Sequence, residues 1–181
     1  MSEFLTLAAT LDAAWAVFED GARDADAPGR TLAVASVGGD GGAEVRMMVL
    51  RAASRTKARL EVQSDAAAGK VAEFAQAPRG SVLAWDAARG FQVRARVRAA
   101  VTAGDPAAWA KIPEVVRARY GGTRPGTVLS APEDATGGPE QARFAVIALT
   151  VDEIETLYLG DPHRRAAFRA ADGFAGRWIA P

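Results

Sequence analysis

Between Phe91 and Ala99 the sequence alternates without interruption. Phe91, Val93, Ala95 and Val97 are apolar, whereas Gln92, Arg94, Arg96 and Arg98 are polar or charged. A period of two belongs to a β-strand, whose successive side chains point to opposite faces. One apolar and one charged face describe an antiparallel strand with a core on one side and water on the other. The rest of the chain must supply partner strands with the same one-sided demand.

Several segments meet that demand. Thr31 to Val37 is a short, mostly apolar run that suits a buried strand. Gly38-Gly39-Asp40-Gly41-Gly42 follows as a turn, and Ala43 to Arg51 returns as a second strand. These glycines join strand to strand, whereas a phosphate loop or dinucleotide fingerprint opens a helix. Arg59 to Gln63 and Ser81 to Trp85 read as further strands, with Asp86 to Gly90 as a turn. Later come Arg143 to Val151 and Ile154 to Leu159, then the shorter Ala166 to Ala170 and Phe174 to Ile179.

Three segments read as helices. Thr10 to Asp20 carries Leu11, Ala14, Trp15 and Phe18 at helical spacing. Ala66 to Gln76 presents Val71, Phe74 and Ala75, with Ser64 or Asp65 as its cap and Pro78 beyond its end. Pro106 to Tyr120 is interrupted by Pro113. Gly121 to Gln141 is a long loop rich in Gly, Pro and Thr. Hairpins dominate the close connections. The expected fold is therefore mainly β with flanking helices: one domain over residues 1–181, built on an antiparallel barrel of six to eight strands.

Composition removes several functions. Lys+Arg and Asp+Glu both number 22, so net charge is zero and a broad nucleic-acid surface is not expected. There is no cysteine, and His163 is the only histidine, so disulfides, thiolate chemistry and a multi-histidine metal site are excluded within one chain. Met1-Ser2-Glu3-Phe4 lacks the basic start and apolar run of a leader, and no membrane-spanning stretch is present. A cytoplasmic location is expected.

The segment Arg46-Met47-Met48-Val49-Leu50-Arg51 points to ligand chemistry: two cations bracket four apolar residues on a strand, an arrangement suited to an anion held against a sheet. Being five apart, they fall on opposite faces of a regular strand. A bulge, a strand end or two anion sites must separate their roles. Taken singly, Arg46 and Arg51 also read as solvated strand ends, Ser64 as a helix cap and Gln92 as part of a polar face.

Taken in order, these residues form a pattern. Arg46 and Arg51 are followed by Gln63-Ser64, then Ala68-Gly69-Lys70, then Gln92. Near the end stands Tyr158-Leu159-Gly160-Asp161-Pro162-His163-Arg164-Arg165, and the chain closes on Trp178-Ile179-Ala180-Pro181. This pattern resembles the FMN-binding split barrel of the pyridoxamine 5'-phosphate oxidase family. The resemblance implies FMN as cofactor, bound by Arg46, Met47, Met48, Val49, Leu50, Gln63, Ser64, Gly69, Lys70, Gln92 and Tyr158. It places Arg164 towards a small-molecule substrate; Arg165 beside it is a further candidate for a substrate anion, and the five-residue spacing from Arg46 favours Arg51 on the substrate side. It further implies a homodimer with the cofactor at the interface, and a flavin-dependent oxidoreductase on an unidentified substrate. The alternative is a non-catalytic module holding flavin, deazaflavin or haem on the same barrel.

The chain departs from the family at identifiable places. The family's Ser-Arg before the lysine is Ala68-Gly69 here, which removes one phosphate cation. The Trp near the flavin is Tyr158, the motif's His is Ala166, and its last Arg is Phe168, with Arg169 adjacent. Tyr120, Arg124 and Ser130 match the family's substrate-phosphate residues only loosely. Flavin binding is thus better supported than oxidation of pyridoxamine phosphate, and no catalytic residue is assigned.

Overall fold

The computed structural model describes residues 4–181; Met1, Ser2 and Glu3, the start of the segment considered above as a leader, lie outside the described residues. Eight strands follow in chain order: β1 Thr31–Val37, β2 Ala43–Ser54, β3 Arg59–Asp65, β4 Arg79–Asp86, β5 Phe91–Ala103, β6 Phe144–Tyr158, β7 Arg164–Arg169 and β8 Gly176–Ile179. They form one sheet in the order β3-β2-β1-β4-β5-β6-β7-β8, and β3 pairs again with β6. That second pairing closes the first six strands into a barrel, and β7 and β8 extend outward from β6. Every pairing is antiparallel.

The barrel interior follows the alternation. Leu32 and Val34 of β1, Leu50 of β2, Leu60 and Val62 of β3, and Phe91, Val93 and Ala95 of β5 are buried in one cluster with Ile147, Leu149 and Ile154 of β6. Helix α1, Leu7–Arg23, adds Leu11, Ala14, Trp15 and Phe18 to that core. It begins earlier than its apolar spacing suggests because the Thr6 hydroxyl accepts from the Ala9 amide at 3.2 Å, a side-chain cap. α1 lies by the β2–β3 turn, where Arg55 pairs with its Asp12 at 2.6 Å. The short helix α2, Gly69–Gln76, lies towards the opposite end of β2 and seals the core there with Phe74. No helix among the described residues is long and apolar enough to cross a membrane.

Three local expectations are corrected. Residues 143–151 and 154–159 are not two strands but parts of the single β6. Opposite it, Arg96 pairs with Glu153 and Val97 with Val151, so Asp152 is an extra residue. That bulge shifts the period of the sequence without ending the strand. The second helix starts at Gly69, not Ala66, and its N-cap Ala68 supplies no side chain. Ser64 and Asp65 instead complete β3. The 106–120 segment divides into two short helices, α3 Pro106–Ala110 and α4 Glu114–Arg117, with Pro113 as the cap residue of α4. Proline lacks the amide that would continue α3, so the chain re-initiates after it.

Asp65 is engaged on several sides. Its carboxylate receives two hydrogen bonds from Arg143, both at 2.9 Å, and one each from the amides of Ala67 at 2.7 Å and Gly121 at 3.2 Å. Arg143 also donates to the Gly122 carbonyl at 3.1 Å. Both side chains are mostly buried. Removing one member of such a pair leaves a buried charge without compensation. Asp65→Ala is expected to lower unfolding free energy by about 3 kcal/mol, measured by urea denaturation. An unchanged midpoint would show that this connection contributes little.

Candidate functional site

A cavity of about 610 Å³ opens between β2, the end of β3 and the first turns of α2. From β2 it is bordered by Arg46, Met47, Met48, Val49 and Arg51, from β3 by Gln63 and Ser64, and from α2 by Gly69, Lys70 and Glu73. The two cations five residues apart therefore border one cavity. Arg46 lies near the start of β2, on the face shared with buried Met48 and Leu50. Arg51 lies at a ladder irregularity: Leu50 pairs with Val62 and Ala52 with Glu61, leaving Arg51 as the extra residue. A strand end and a bulge thus both contribute.

Arg46 is held on both of its terminal nitrogens. Nη1 donates to Ser36 Oγ, and Nη2 lies 2.8 Å from Glu73 Oε2. The Ser36 hydroxyl donates to the same carboxylate oxygen. Lys70 donates to Ser64 Oγ at 3.4 Å. Burial above all, and the nearby Arg46 charge next, hold the Lys70 ammonium below the usual lysine value, with Glu73 and Asp65 opposing. A cation whose charge is disfavoured by its surroundings is stabilised by an added anion.

The remaining candidate residues lie elsewhere. Leu50 is fully buried and faces the core. Gln92 pairs across the sheet with Leu157, and Tyr158 sits opposite both Phe91 of β5 and Arg164 of β7. The Arg164 guanidinium lies 5.7 Å from the centre of the Tyr158 ring, which also stacks on Phe4 with ring centres 4.5 Å apart. Arg165 donates to Glu155 at 2.8 and 3.1 Å, and Arg94 donates to the same carboxylate at 2.7 Å. Burial disfavours the Glu155 charge, but hydrogen bonds from Arg165 and then Arg94 outweigh it and hold the carboxyl below its ordinary value. His163, Arg164, Arg165 and Trp178 border a separate cavity of about 350 Å³. The residues of the resemblance therefore fall into two groups within one chain.

A further cavity, of about 410 Å³, adjoins the first through Arg51 and Gln63. It adds Arg59, Glu61 and Lys111, over an apolar floor that includes Ile112, Val116 and Val146. Tyr120 is buried in the adjacent cluster, edge-on to Phe144 with ring centres 5.0 Å apart. Burial pushes its hydroxyl pKa up, and Arg51 pulls it back in part. Arg124 and Ser130 are exposed. Phe168 is buried, and Arg169 beside it pairs with Glu153 at 3.4 Å.

Ser36 and Glu73 were not among the residues singled out from the sequence. A signal for each exists. Ser36 breaks the apolar register of Leu32 and Val34 on the inward face of β1. Glu73 stands three and four residues after Lys70 and Gly69, hence on their face of the helix.

No protein-family model matches the chain, and no curated relative matches it. Solved structures do. A pyridoxamine 5'-phosphate oxidase-related, FMN-binding protein from Nostoc punctiforme superposes with a TM-score of 0.76 at 18% identity, over 95% of this chain and 96% of that one. PhzG from Burkholderia lata, in complex with tetrahydrophenazine-1-carboxylic acid, gives 0.75 at 18% identity, over 95% and 91%. A protein related to general stress protein 26 from Clostridium acetobutylicum gives 0.57 at 10% identity, over 79% and 87%. The chain thus has the split-barrel fold of the pyridoxamine 5'-phosphate oxidase-related, FMN-binding proteins.

Proposed function

We propose that this chain binds FMN and serves as a homodimeric flavin-dependent oxidoreductase on a small molecule. The observation that carries the reading is the single cavity bordered by Arg46, Ser64 and Lys70 together with the Met47–Val49 strand. A phosphate near two negative charges needs cations and hydroxyl or amide donors. Arg46, Lys70 and Ser64 supply that donor set, and the lowered pKa of Lys70 marks a place where an added anion is favoured. Met47 and Val49 offer apolar surface for the ring, and Gln63 a polar partner for its edge. FMN supplies two-electron redox chemistry when bound, while these residues bind and orient it.

The second copy has a reason in the same surface. Val45 and Met47 are 67% and 64% exposed beside the cavity, although both are apolar. Covering them with another chain would remove that surface from water. The group formed by Gln92, Tyr158 and Arg164, apart from the cavity within one chain, would complete the site from the partner. Arg51 borders both adjoining cavities and is the cation best placed for an anionic group of the substrate. PhzG is seen with a reduced ring acid; a substrate of that kind would find its counter-charge there.

Three measurements test the reading. Arg46→Ala and Lys70→Ala are each expected to weaken FMN binding about tenfold or more, since a charge-assisted hydrogen bond contributes about 1.5–3 kcal/mol. Fluorescence titration checks this; unchanged affinity in both variants would remove the phosphate assignment. The pH dependence has a definite sign. Phosphate binds the charged ammonium, and the folded pKa of Lys70 is lowered. Affinity should fall as pH rises through that lowered value, at a pH below the ordinary lysine value of about 10.4. Lys70→Met should lack this step. Finally, Met47→Asp is expected to shift sedimentation from dimer to monomer and weaken FMN binding together; a dimer unaffected by the charge would place the interface elsewhere.

A further inference from the structure

Arg46 is the cation on which the FMN reading chiefly rests, and its guanidinium already has an anionic partner. Glu73 lies 2.8 Å away, with side-chain exposures of 20% for Arg46 and 16% for Glu73. Water therefore screens the pair only in part. Ser36 donates to the same oxygen of Glu73 and accepts from Arg46, so three side chains hold one another in place. The other carboxylate oxygen reaches the start of α2: a Cβ built on Gly69 would stand 3.4 Å from Glu73 Oε1. Glu44, more exposed, stands 3.8 Å from Arg46, and Asp65 is held by Arg143.

Carboxylate and phosphate are both acceptors and compete for the same donors. A guanidinium offers five N–H groups in a fixed fork, and Glu73 and Ser36 take one from each terminal nitrogen. We propose that Glu73 is a specificity-determining residue: its negative charge, held against Arg46 beside Lys70, narrows the preference for phosphorylated over unphosphorylated flavin. This inference rests on the FMN reading. In the free protein Glu73 offsets the mutual repulsion of Arg46 and Lys70, and it favours the charged form of Lys70. With a phosphate alongside, the same charge repels it across a half-buried space, where effective permittivity is low.

The test compares FMN with riboflavin, which differ by the phosphate alone, in fluorescence titrations of wild-type protein, Glu73→Gln and Glu73→Asp. Glutamine keeps the size of the side chain, and its amide oxygen still accepts from Ser36 and Arg46, so the fold is retained. Glu73→Gln is expected to bind FMN about tenfold more tightly, the scale of one like charge removed at close range, with riboflavin affinity unchanged. Glu73→Asp keeps the charge and should show no such gain. Unchanged or weaker FMN binding by Glu73→Gln, an equal gain for riboflavin, or the same gain in Glu73→Asp would each overturn the proposal. Failure of the wild-type protein to bind FMN at all would instead remove the FMN reading, and this inference with it.

Discussion

The Asp65–Arg143 pair holds together the elements that border the Arg46–Lys70 cavity. It joins the end of β3 to the residue before β6, where the barrel closes. The same carboxylate fixes the Ala67 amide in the turn that delivers α2, and the Gly121 amide at the start of the long loop. Without this knot, the seam, the helix and the loop would have separate freedom. Gly69, Lys70 and Glu73 would then lose their register against β2. The pair is largely buried, and its five hydrogen bonds, two between the partners and one each with Ala67, Gly121 and Gly122, offset the cost of taking two charges from water.

On the outer sheet face several charges are arranged in pairs. On the outer face of β5, β6 and β7, Glu155 sits between Arg94 and Arg165, Asp152 receives Arg98, and Glu153 meets Arg169. These pairs lie at strand neighbours, and several are solvent-exposed, so they specify register more than they add stability. Arg51 differs: among the described residues it makes no ion pair. It stands where two cavities meet, with the apolar cluster of Ile112, Tyr120 and Phe144 behind. Lys70 in the same cavity likewise has no ion-pair partner among the described residues, so the contrast is between cations that organise the sheet and cations that border the cavities.

How much of this was readable beforehand depends on how one-sided each environment is. The Phe91–Ala99 alternation gave its strand directly, because one face is core and the other water. The Arg46–Lys70 pattern located one cavity, because its members sit on contiguous stretches of β2, β3 and α2. The Asp152 bulge was hidden, since an extra residue reverses the period and imitates a break. The start of α2 was misplaced for a related reason. Asp65 has the chemistry of a cap, but its carboxylate serves Arg143 and the turn instead. Glu73 was overlooked because a helix glutamate usually faces water; only the tertiary approach of Arg46 and Ser36 gives it a role.

One consequence of the strand order concerns how the chain reaches this state. Strands β1 to β5 can pair among themselves in the order β3-β2-β1-β4-β5, which leaves β3 and β5 as open edges. Both edges wait for the same strand: residues 59–65 pair with 144–150, and β5 pairs along nearly the whole of β6. Contacts so distant in sequence form late and slow the rate at which a barrel assembles. During synthesis, an incomplete sheet with two raw edges must persist until the last quarter of the chain emerges, and it is then exposed to edge-to-edge association. Residues 145–150 of β6 pair with β3 on one side and β5 on the other, so one segment fills both edges.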